Sequence, residues 1–521
     1  MLDTWNLLLN GIMAASTPTI LMAVLFGSLI GLFIGALPGL GPTAGVAILL
    51  PVAVSFDGTA AIAALGAVYY GAQYGGAVTA ILLGIPGDAS ATMTAIDGYQ
   101  LAKKGKAGAA LSMSVAASFI GGLIGLVLLT IFATTIARAA LAFGPSEMTA
   151  LMIFSLALVS VLGGIDPVKS FTALFLGVFV GTIGLDPIMA VPRFTFGDVR
   201  LFDGIDFSIM AVGLFGLAEM FASPSAAAED KGQIARFRLR ELMPNFRDVA
   251  KCWSPLTSGS LIGFFVGILP GAGATASTMI AYAFAKRTSK TSEVYGKGSL
   301  EGVASPEAAN NAASYGNMIP MFALGIPGSG TTAVLMGGLL MIGLQPGPML
   351  FATQPEFVWT IFGSFYIGNL ALVAITIAMI PLLAACAFLK PGYLYPVVVG
   401  VVVFGVYSIN YSMFDVALTI AFGMVGYILA KLEYPLVPLV LGMILGPLLE
   451  RGIRRTLVSA QGDMTEFVHS PISIILLLMT VALIVVPLLM RPRRLVQMEG
   501  KSTLDHPADA TDADNVRKDV K

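Results

Sequence analysis

The sequence contains little charge for its length. Among its 521 residues are 29 Lys and Arg and 30 Asp and Glu, so that 11% of the chain is charged while 56% is hydrophobic. Soluble domains carry roughly 25% charged residues. Long uncharged stretches can lie in hydrocarbon, where a spanning helix needs ~20 predominantly apolar residues. The composition therefore excludes a soluble globular protein and predicts an all-α polytopic membrane protein in a lipid bilayer.

Cysteine and histidine are almost absent. The two cysteines, Cys252 and Cys386, provide neither a disulfide framework nor a metal-ligand spacing. The two histidines, His469 and His506, lie in a polar loop and in a charged tail. The sequence thus argues against a transition-metal site and against a histidine proton relay within the membrane.

Motifs for nucleotide chemistry and catalysis are also missing. Gly39-x-Gly41 lacks the third glycine and the strand of a dinucleotide-binding motif, and no Walker pattern occurs. The apolar region contains no Ser/His or Cys/His pair, and a net charge of −1 gives no basic footprint for nucleic acid. We expect a protein that is not an enzyme, binds no nucleic acid and uses no cofactor other than a coupling ion.

The charges that are present concentrate in two segments. Residues 223–255 contain ten charged side chains and residues 491–521 contain thirteen. The apolar stretches elsewhere predict roughly 11–13 transmembrane spans. This pattern divides the chain into a first transmembrane repeat (17–222), a basic cytoplasmic linker (223–255), a second transmembrane repeat (256–450), a loop and final span (451–490) and a charged cytoplasmic tail (491–521).

Two blocks of sequence occur twice in the same order. Residues 27–31 (GSLIG) recur at 259–263, and residues 37–44 (LPGLGPTA) correspond to 269–276 (LPGAGATA), both at an offset of 232 positions. Residues 83–87 (LGIPG) recur at 324–328, at an offset of 241 that also aligns Tyr74 with Tyr315. The first copy ends on Glu219 and the second on Glu450. We interpret the chain as an internal duplication followed by a final span.

Basic residues in loops predict the orientation, because Lys and Arg accumulate on the cytoplasmic side. The linker and the start of the tail are both basic, so both are expected in the cytoplasm, and the two repeats would then have inverted topology. Asp3 is the only charge in the first 56 residues, which agrees with an outward N-terminus. Three arginines that this topology places outside oppose it: Arg451, Arg454 and Arg455.

The repeated breaks are the candidate site. Paired helices interrupted by Gly and Pro are typical of secondary transporters, and exposed backbone at membrane depth is tolerated only around a cavity or ligand. In the first pair of breaks, Thr43 and Thr275 are placed to cap the following half-helices, whose N-termini suit carboxylates. The alternative is a turn that only packs helices. The predicted substrate-binding residues in these breaks are Gly39, Gly41, Thr43, Gly271, Gly273 and Thr275.

The second pair of breaks is rich in hydroxyl groups. Hydroxyls behind a Pro-Gly break can bind a carboxylate while neighbouring carbonyls bind a cation, although the same residues could serve helix packing. The predicted substrate-binding residues here are Gly87, Asp88, Ser90, Thr92, Gly328, Ser329, Thr331 and Thr332. Among the acidic residues near membrane segments, we assign a functional role only to Asp88 and expect others to cap helices.

Polar residues accumulate just before the second break of each half. Glu307, Asn310, Asn311 and Ser314 precede one, and Gln73 precedes the other. Amide and carbonyl oxygens are suitable sodium ligands, although paired asparagines could instead tie two helices together. The predicted cation-binding residues are Gly39, Gly271, Asn310, Asn311 and Ser314.

These segments resemble the large membrane subunit of the tripartite tricarboxylate transporter family. The resemblance covers about 20–450 and rests on four segments: 35–42 (GALPGLGP), 84–92 (GIPGDASAT) with 97–99 (DGY) and 103–108 (KKGKAG), 307–313 (EAANNAA), and 325–329 (GIPGS). It implies a multi-pass symporter of the bacterial inner membrane. It also implies two partners, a small four-helix membrane subunit and a periplasmic solute-binding protein that delivers an organic anion such as citrate.

The coupling ion is Na+ or H+, and the scarcity of histidine together with the asparagines favours sodium slightly. The alternative functions are a channel, which also uses re-entrant segments, and a carboxylate transporter that needs no binding protein.

The inverted topology makes a direct prediction. A reporter fused at the N-terminus should report the opposite side of the membrane from a reporter inserted at residue 240. Paired alkaline phosphatase and fluorescent-protein fusions measure this. The same side for both reporters would contradict the inverted arrangement.

Overall fold

The structure is a computed structural model, and it describes residues 2–37, 39–53, 56–162, 166–186, 189–222, 242–243, 245–386 and 391–489. These residues are almost entirely helical, as predicted, apart from one short antiparallel hairpin of β1 (Gly184–Leu185) and β2 (Pro192–Arg193). Most of the linker and the whole tail after residue 489 lie outside the described residues.

The described residues of the first half form ten helices. They are α1 (Leu2–Ala15), α2 (Pro18–Gly35), α3 (Pro42–Ala53), α4 (Gly58–Leu83), α5 (Thr92–Lys103), α6 (Ala107–Ala140), α7 (Pro145–Leu162), α8 (Pro167–Gly181), α9 (Phe207–Ala211) and α10 (Ala218–Ala222). A 3-10 turn (Ala89–Ala91) precedes α5, and a π-helical segment (Val212–Leu217) joins α9 to α10.

The rest of the described chain contains eleven helices. They are α11 (Phe246–Lys251), α12 (Trp253–Gly267), α13 (Gly273–Thr288), α14 (Leu300–Gly316), α15 (Gly330–Met341), α16 (Pro348–Thr353), α17 (Pro355–Cys386), α18 (Pro391–Asn410), α19 (Met413–Lys431), α20 (Leu436–Ser459) and α21 (Pro471–Leu489). A second π-helical segment (Pro320–Leu324) follows α14.

Glycines spaced four residues apart bring α2 and α4 into backbone contact. A Cβ atom added at Gly31 would lie 2.5 Å from the carbonyl oxygen of Val68, and one at Gly35 would lie 2.0 Å from that of Ala72. Small residues at this spacing let helices approach closely in a membrane, where packing drives association. The contacts advance in the same direction along both helices, so α2 and α4 are parallel. The intervening α3 therefore leads the chain back, and α2 and α3 form a hairpin.

The second half repeats this arrangement. Cβ atoms added at Gly259, Gly263 and Gly267 would lie 2.2–2.7 Å from carbonyl oxygens of α14. Helices α12 and α14 are thus also parallel, and α12 and α13 form the equivalent hairpin.

The two halves pack against each other in a reciprocal manner. Helix α6 contacts α14, and α17, which follows at the equivalent place in the second half, contacts α4. In the same way α8 packs on α20, while α19 packs on the segment from α9 to α10. Helices α4 and α14 lie at the centre, with nearly every residue buried.

The outer helices have the composition of membrane spans. Six helices of the described chain are long and apolar enough to cross a bilayer alone, and six shorter apolar helices accompany them. Large apolar side chains on the periphery are exposed, such as Phe404 on α18 and Leu478 on α21. They form the surface expected to face lipid.

Several boundaries differ from the sequence-based expectation. Helix α14 begins at Leu300, ahead of the apolar run, because Ser299 caps it and its polar residues are buried by neighbouring helices. Helix α20 continues past Glu450, whose carboxylate accepts hydrogen bonds from Arg193 at 2.9 Å and forms an ion pair with Arg454 at 2.6 Å. Helix α12 begins at Trp253, three residues before the predicted start of the second repeat at 256.

We predict that Gly263→Leu destabilises the fold. The added side chain cannot be accommodated, since its Cβ atom would lie 2.2 Å from the Ala309 carbonyl oxygen. Overpacking typically lowers the free energy of unfolding by about 1–3 kcal/mol. Because the clash here is with the backbone, we expect a loss at the upper end of that range. Thermal unfolding of the detergent-purified protein measures the effect. Gly400→Leu is the matched control, because no heavy atom lies within 4 Å of a Cβ atom there; equal melting temperatures for the two variants would contradict the close packing.

Candidate functional site

The four breaks meet at one cavity of about 470 Å³. This volume lies within the roughly 300–1,000 Å³ of small-molecule sites. The described lining residues come from the turn between α2 and α3, the starts of α3, α13 and α15, the turn after α4 with the 3-10 turn, the residue that follows α14, and from α4, α10 and the π-helical segment before α10. They are Gly39, Gly41, Pro42, Thr43, Ala44, Tyr69, Gln73, Pro86, Gly87, Asp88, Ala89, Ser90, Phe215, Glu219, Gly273, Ala274, Thr275, Asn317, Ser329, Gly330 and Thr331.

The breaks are joined to each other by backbone hydrogen bonds. The N–H of Gly39 donates to the Gly87 carbonyl at 3.3 Å, and the N–H of Gly271 donates to the Gly328 carbonyl at 3.0 Å. These are equivalent pairs in the two halves. Both donor glycines have left-handed backbones, with φ of 90° and 87°, which other residues rarely adopt. The turns therefore satisfy part of the hydrogen-bonding capacity of their exposed backbone by bonding to each other.

Helix N-termini converge on the cavity. Helices α3, α13 and α15 begin there, and so does the 3-10 turn that leads into α5. A helix N-terminus offers unpaired N–H groups and partial positive charge, which favour anions. The arrangement can therefore bind a carboxylate with backbone groups alone.

Hydroxyl groups occupy the same wall. The hydroxyls of Thr43 and Thr331 lie 2.8 Å apart, so this contact joins the two halves across the cavity. Ser90 Oγ donates to Asp88 at 2.7 Å or to Gln73 at 3.1 Å. These groups can exchange their mutual hydrogen bonds for bonds to a ligand.

The charged groups of the lining are both acidic. Asp88 accepts from Ser90 and from the backbone N–H of Ala91, while Glu219 lies beside Gly39 from α10. No Lys, Arg or His is found among the described lining residues. An anion placed here would meet two carboxylates, so its binding requires protons or cations to offset the charge.

Ten of the fourteen predicted substrate-binding residues line the cavity. The other four do not, for different reasons. Gly271 and Gly328 form the backbone pair behind the wall, and Thr332 makes a capping box with Ser329 at the start of α15. Thr92 begins α5, one turn beyond the lining.

The predicted cation-binding residues separate into two groups. Gly39 lines the cavity, whereas Asn310, Asn311 and Ser314 are buried on α14 outside its described lining. Ser314 accepts a hydrogen bond from Gln73 at 3.2 Å, which links this part of α14 to the cavity wall. Their role in binding a cation stays a prediction.

The predicted capping roles of Thr43 and Thr275 are wrong. Thr275 is the third residue of α13, whose N-cap is Ala272 and has no side-chain cap. Thr43 is the second residue of α3, and its hydroxyl contacts Thr331 instead. Helix α3 begins one residue before Thr43 and α13 begins two residues before Thr275, so neither threonine is an N-cap and both line the cavity.

Eleven of the described lining residues had no predicted binding role, and five of these have polar or aromatic side chains: Tyr69, Gln73, Phe215, Glu219 and Asn317. Tyr69 accepts a hydrogen bond from Asn317 at 3.1 Å, and Gln73 contacts Ser90. Phe215 lies in the π-helical segment Val212–Leu217, and Glu219 lies in α10. π-helical segments are frequent at functional sites. The sequence does contain one indication of Glu219, because this acidic residue ends the first repeat.

The other acidic residues near membrane segments have structural roles. Asp166 caps α8, and Asp186 and Glu450 form ion pairs with arginine. Asp97 is fully buried and accepts hydrogen bonds at 2.8–2.9 Å from the backbone N–H groups of Gly296, Gly298 and Ser299 and from the Tyr282 hydroxyl. Asp97 thereby anchors α5 of the first half to the second half.

Comparison with known proteins gives one family. Residues 21–441 match the Tripartite tricarboxylate transporter TctA family. A protein of Agrobacterium vitis described as an uncharacterized 52.8 kDa protein in the TAR-I ttuC' 3'region is 38% identical over 489 residues, covering 94% of this chain and 97% of the relative. A second, described as an uncharacterized protein in the TAR-II ttuC' 3'region of the same organism, is 38% identical over 227 residues, 44% of this chain and 94% of the relative. No solved structure matches.

We predict that two cysteines introduced on α13 react with a thiol reagent at different rates, because only one of the two positions lines the cavity. In a background where Cys252 and Cys386 are replaced by alanine, Thr275→Cys should react with a charged, water-soluble thiol reagent at least about tenfold faster than Thr278→Cys. The first position lines the cavity and the second is fully buried, and thiols react as hydrated thiolates. Labelling rates in membranes test this, and similar rates at both positions would contradict the assigned wall.

Proposed function

The chain belongs to the tripartite tricarboxylate transporter TctA family, and from this we propose that it is the large membrane subunit of a secondary transporter that imports an organic di- or tricarboxylate by cation symport. The family is a transporter family, so the chain is not assigned to an enzyme class. The proposed location is the bacterial inner membrane.

One observation supports the carboxylate. Four helix starts and the hydroxyls of Thr43, Ser90, Ser329 and Thr331 surround a cavity of about 470 Å³ that contains no described basic residue. A site of this kind binds anions through N–H and O–H donors rather than ion pairs. Such weak, distributed binding suits a transporter, which has to release its substrate.

Cation coupling follows from the electrostatics of the same cavity. Asp88 and Glu219 both line it, and a polyanion beside two carboxylates in a low-dielectric site is costly unless cations bind with it. Protons or sodium ions that enter with the substrate remove this cost. Because neither partner then binds well alone, uptake of the anion is linked to entry of the cation.

The proposed partners follow from the family's tripartite character. A periplasmic solute-binding protein would deliver the carboxylate, and a small four-helix membrane subunit would complete the membrane complex. The internal duplication fits transporters that move one unit against another around a central site. Here the central site is the meeting point of the four breaks.

A transport assay with two threonine variants tests this function. The complete three-component system in proteoliposomes should accumulate radiolabelled citrate, or another carboxylate from a di- and tricarboxylate panel, when a Na+ or pH gradient is imposed. Thr331→Val should reduce uptake about tenfold or more, because a hydrogen bond to a charged group contributes about 1.5–3 kcal/mol. Thr278→Val, a buried threonine away from the described lining, should change uptake little.

Three outcomes decide against parts of the proposal. Uptake that equilibrates without accumulation would indicate a channel. Accumulation at the same rate without the binding protein would indicate an independent carboxylate transporter. Equal effects of the two threonine variants would remove Thr331 from the site.

A further inference from the structure

Glu307 is a carboxyl group enclosed within the protein. It lies on α14 and has no solvent exposure. Its two oxygens accept hydrogen bonds from different helices, Oε1 from the Thr94 hydroxyl at 2.5 Å and Oε2 from the Ser118 hydroxyl at 3.1 Å. None of the salt bridges among the described residues includes it. An ionised carboxylate without a cationic partner is costly in such a place, and intramembrane carboxylates usually serve transport.

The neighbouring turn of α14 contains further polar groups that are not fully used. Residues 307, 310, 311 and 314 are spaced to share one face of the helix. The Asn310 side chain is fully buried, and neither its oxygen nor its nitrogen has a hydrogen-bond partner among the described residues. Buried polar groups in native proteins nearly always have a partner, so the Asn310 amide is a place for a bound water, an ion or a proton-linked rearrangement.

The equivalent place in the first half is apolar. The offset of 241 positions that aligns Tyr74 with Tyr315 places Gly66 opposite Glu307 and Leu335 opposite Thr94. The ring of Phe365 fills the space at Gly66, where an added Cβ atom would lie 2.4 Å from the ring. The fold therefore accepts an entirely apolar core at this level, and packing alone gives no reason for a carboxyl group at residue 307.

A short path joins Glu307 to the cavity. Thr94 and Ser90 are four residues apart on the segment that follows the break at 84–88, so one short segment contacts both the cavity and Glu307. A second path leads from Ser90 to Gln73 at 3.1 Å, from Gln73 to Ser314 at 3.2 Å and from Ser314 to the Asn310 carbonyl at 3.2 Å. Both paths connect occupancy of the cavity with the surroundings of Glu307.

The charged and titratable groups around Glu307 provide no fixed positive charge. Asp88 and Tyr74 interact with it electrostatically, while Asp97 and Tyr282 are bonded to each other. The basic residues on the helices that pack against α14 are all exposed: Lys103, Arg138, Lys286 and Arg287. The remaining titratable side chains on these helices are Tyr69, Tyr70, Tyr99 and, on α14 itself, Glu301 and Tyr315.

We propose that Glu307 is the binding site of a coupling proton, which it takes up when the carboxylate substrate occupies the cavity and releases when the substrate leaves. This proposal rests on the symport function proposed above. The protonated carboxyl is neutral and can reside in the closed core, whereas the ionised form is held by the Thr94 and Ser118 hydroxyls. The two hydroxyls thus position Glu307, and the proton supplies the charge balance that the cavity lacks.

Two measurements on Glu307→Gln test the proposal. Infrared difference spectra of the membrane-reconstituted chain between low and high pH should show the carbonyl band of a protonated carboxyl group. One component of this band should be absent in Glu307→Gln. The same component should be present in Glu301→Gln. Glu301 is a matched control on the same helix, where it accepts hydrogen bonds from Ser289 and Tyr295. In the complete system, Glu307→Gln should reduce pH-driven citrate accumulation at least about tenfold, because the amide cannot take up or release the proton. Exchange of internal for external citrate should continue, because the amide mimics the neutral carboxyl group.

A milder variant covers the case in which Glu307→Gln fails to fold. Ser118→Ala keeps the carboxyl but removes a donor that stabilises its ionised form, so the infrared band should appear at a higher pH than in the wild type. An unchanged band in both variants, or full pH-driven accumulation by Glu307→Gln, would overturn the proposal. Accumulation that is driven by Na+ alone and does not respond to pH would also overturn the proposal, but it would leave the symport function intact. If the wild type accumulates no carboxylate, the symport function is contradicted. The infrared result then still decides whether Glu307 binds a proton.

Discussion

The structure depends on how the backbone is satisfied where four helices stop inside the apolar region. Each interruption frees N–H and C=O groups that hydrocarbon cannot hydrate. The turns solve this by pairing across the site, Gly39 with Gly87 and Gly271 with Gly328. The starts of α3, α13 and α15 remain at the cavity. The backbone N–H groups at these helix starts are the donors that a ligand can use, and they are the physical basis of the proposed preference for anions.

Close packing of the hairpins makes these turns possible. Gly35 contacts the backbone of Ala72, and a Cβ atom at Gly87 would lie 2.1 Å from the Gly35 carbonyl oxygen. The same stripe of glycines that packs α2 on α4 thus extends into the wall of the cavity. In the second half the equivalent glycine makes a different contact, since a Cβ atom at Gly328 would lie 2.8 Å from the Asn317 carbonyl oxygen. Fold and site are specified by one pattern of small residues, which explains why the pattern occurs twice in the sequence.

Much of this could be predicted from sequence, because the determinants are local. The apolar runs gave most helices, and the repeated Gly-Pro segments gave ten of the lining residues. What could not be predicted depends on distant contacts. Glu219 reaches the cavity only because α10 packs near the first break, and Thr332 is withdrawn because Ser329 engages it in a cap. The enclosure of Glu307 by Thr94 and Ser118 needs three helices from both halves. The helical hairpins could be expected, but the orientation of the repeats in the bilayer stays a prediction.

The glycine interfaces also divide the molecule mechanically. Helices whose backbones touch without intervening side chains cannot slide past each other, since any shift would drive a Cα into a carbonyl of the partner. Such contacts join α2 to α4 and α12 to α14, and Gly121 and Gly125 join α6 to α14 in the same way. A second set joins α8 to α20 through Gly177 and Gly442. We therefore expect the helices joined in this way to move together, so that the joints of a transport cycle lie between the joined groups.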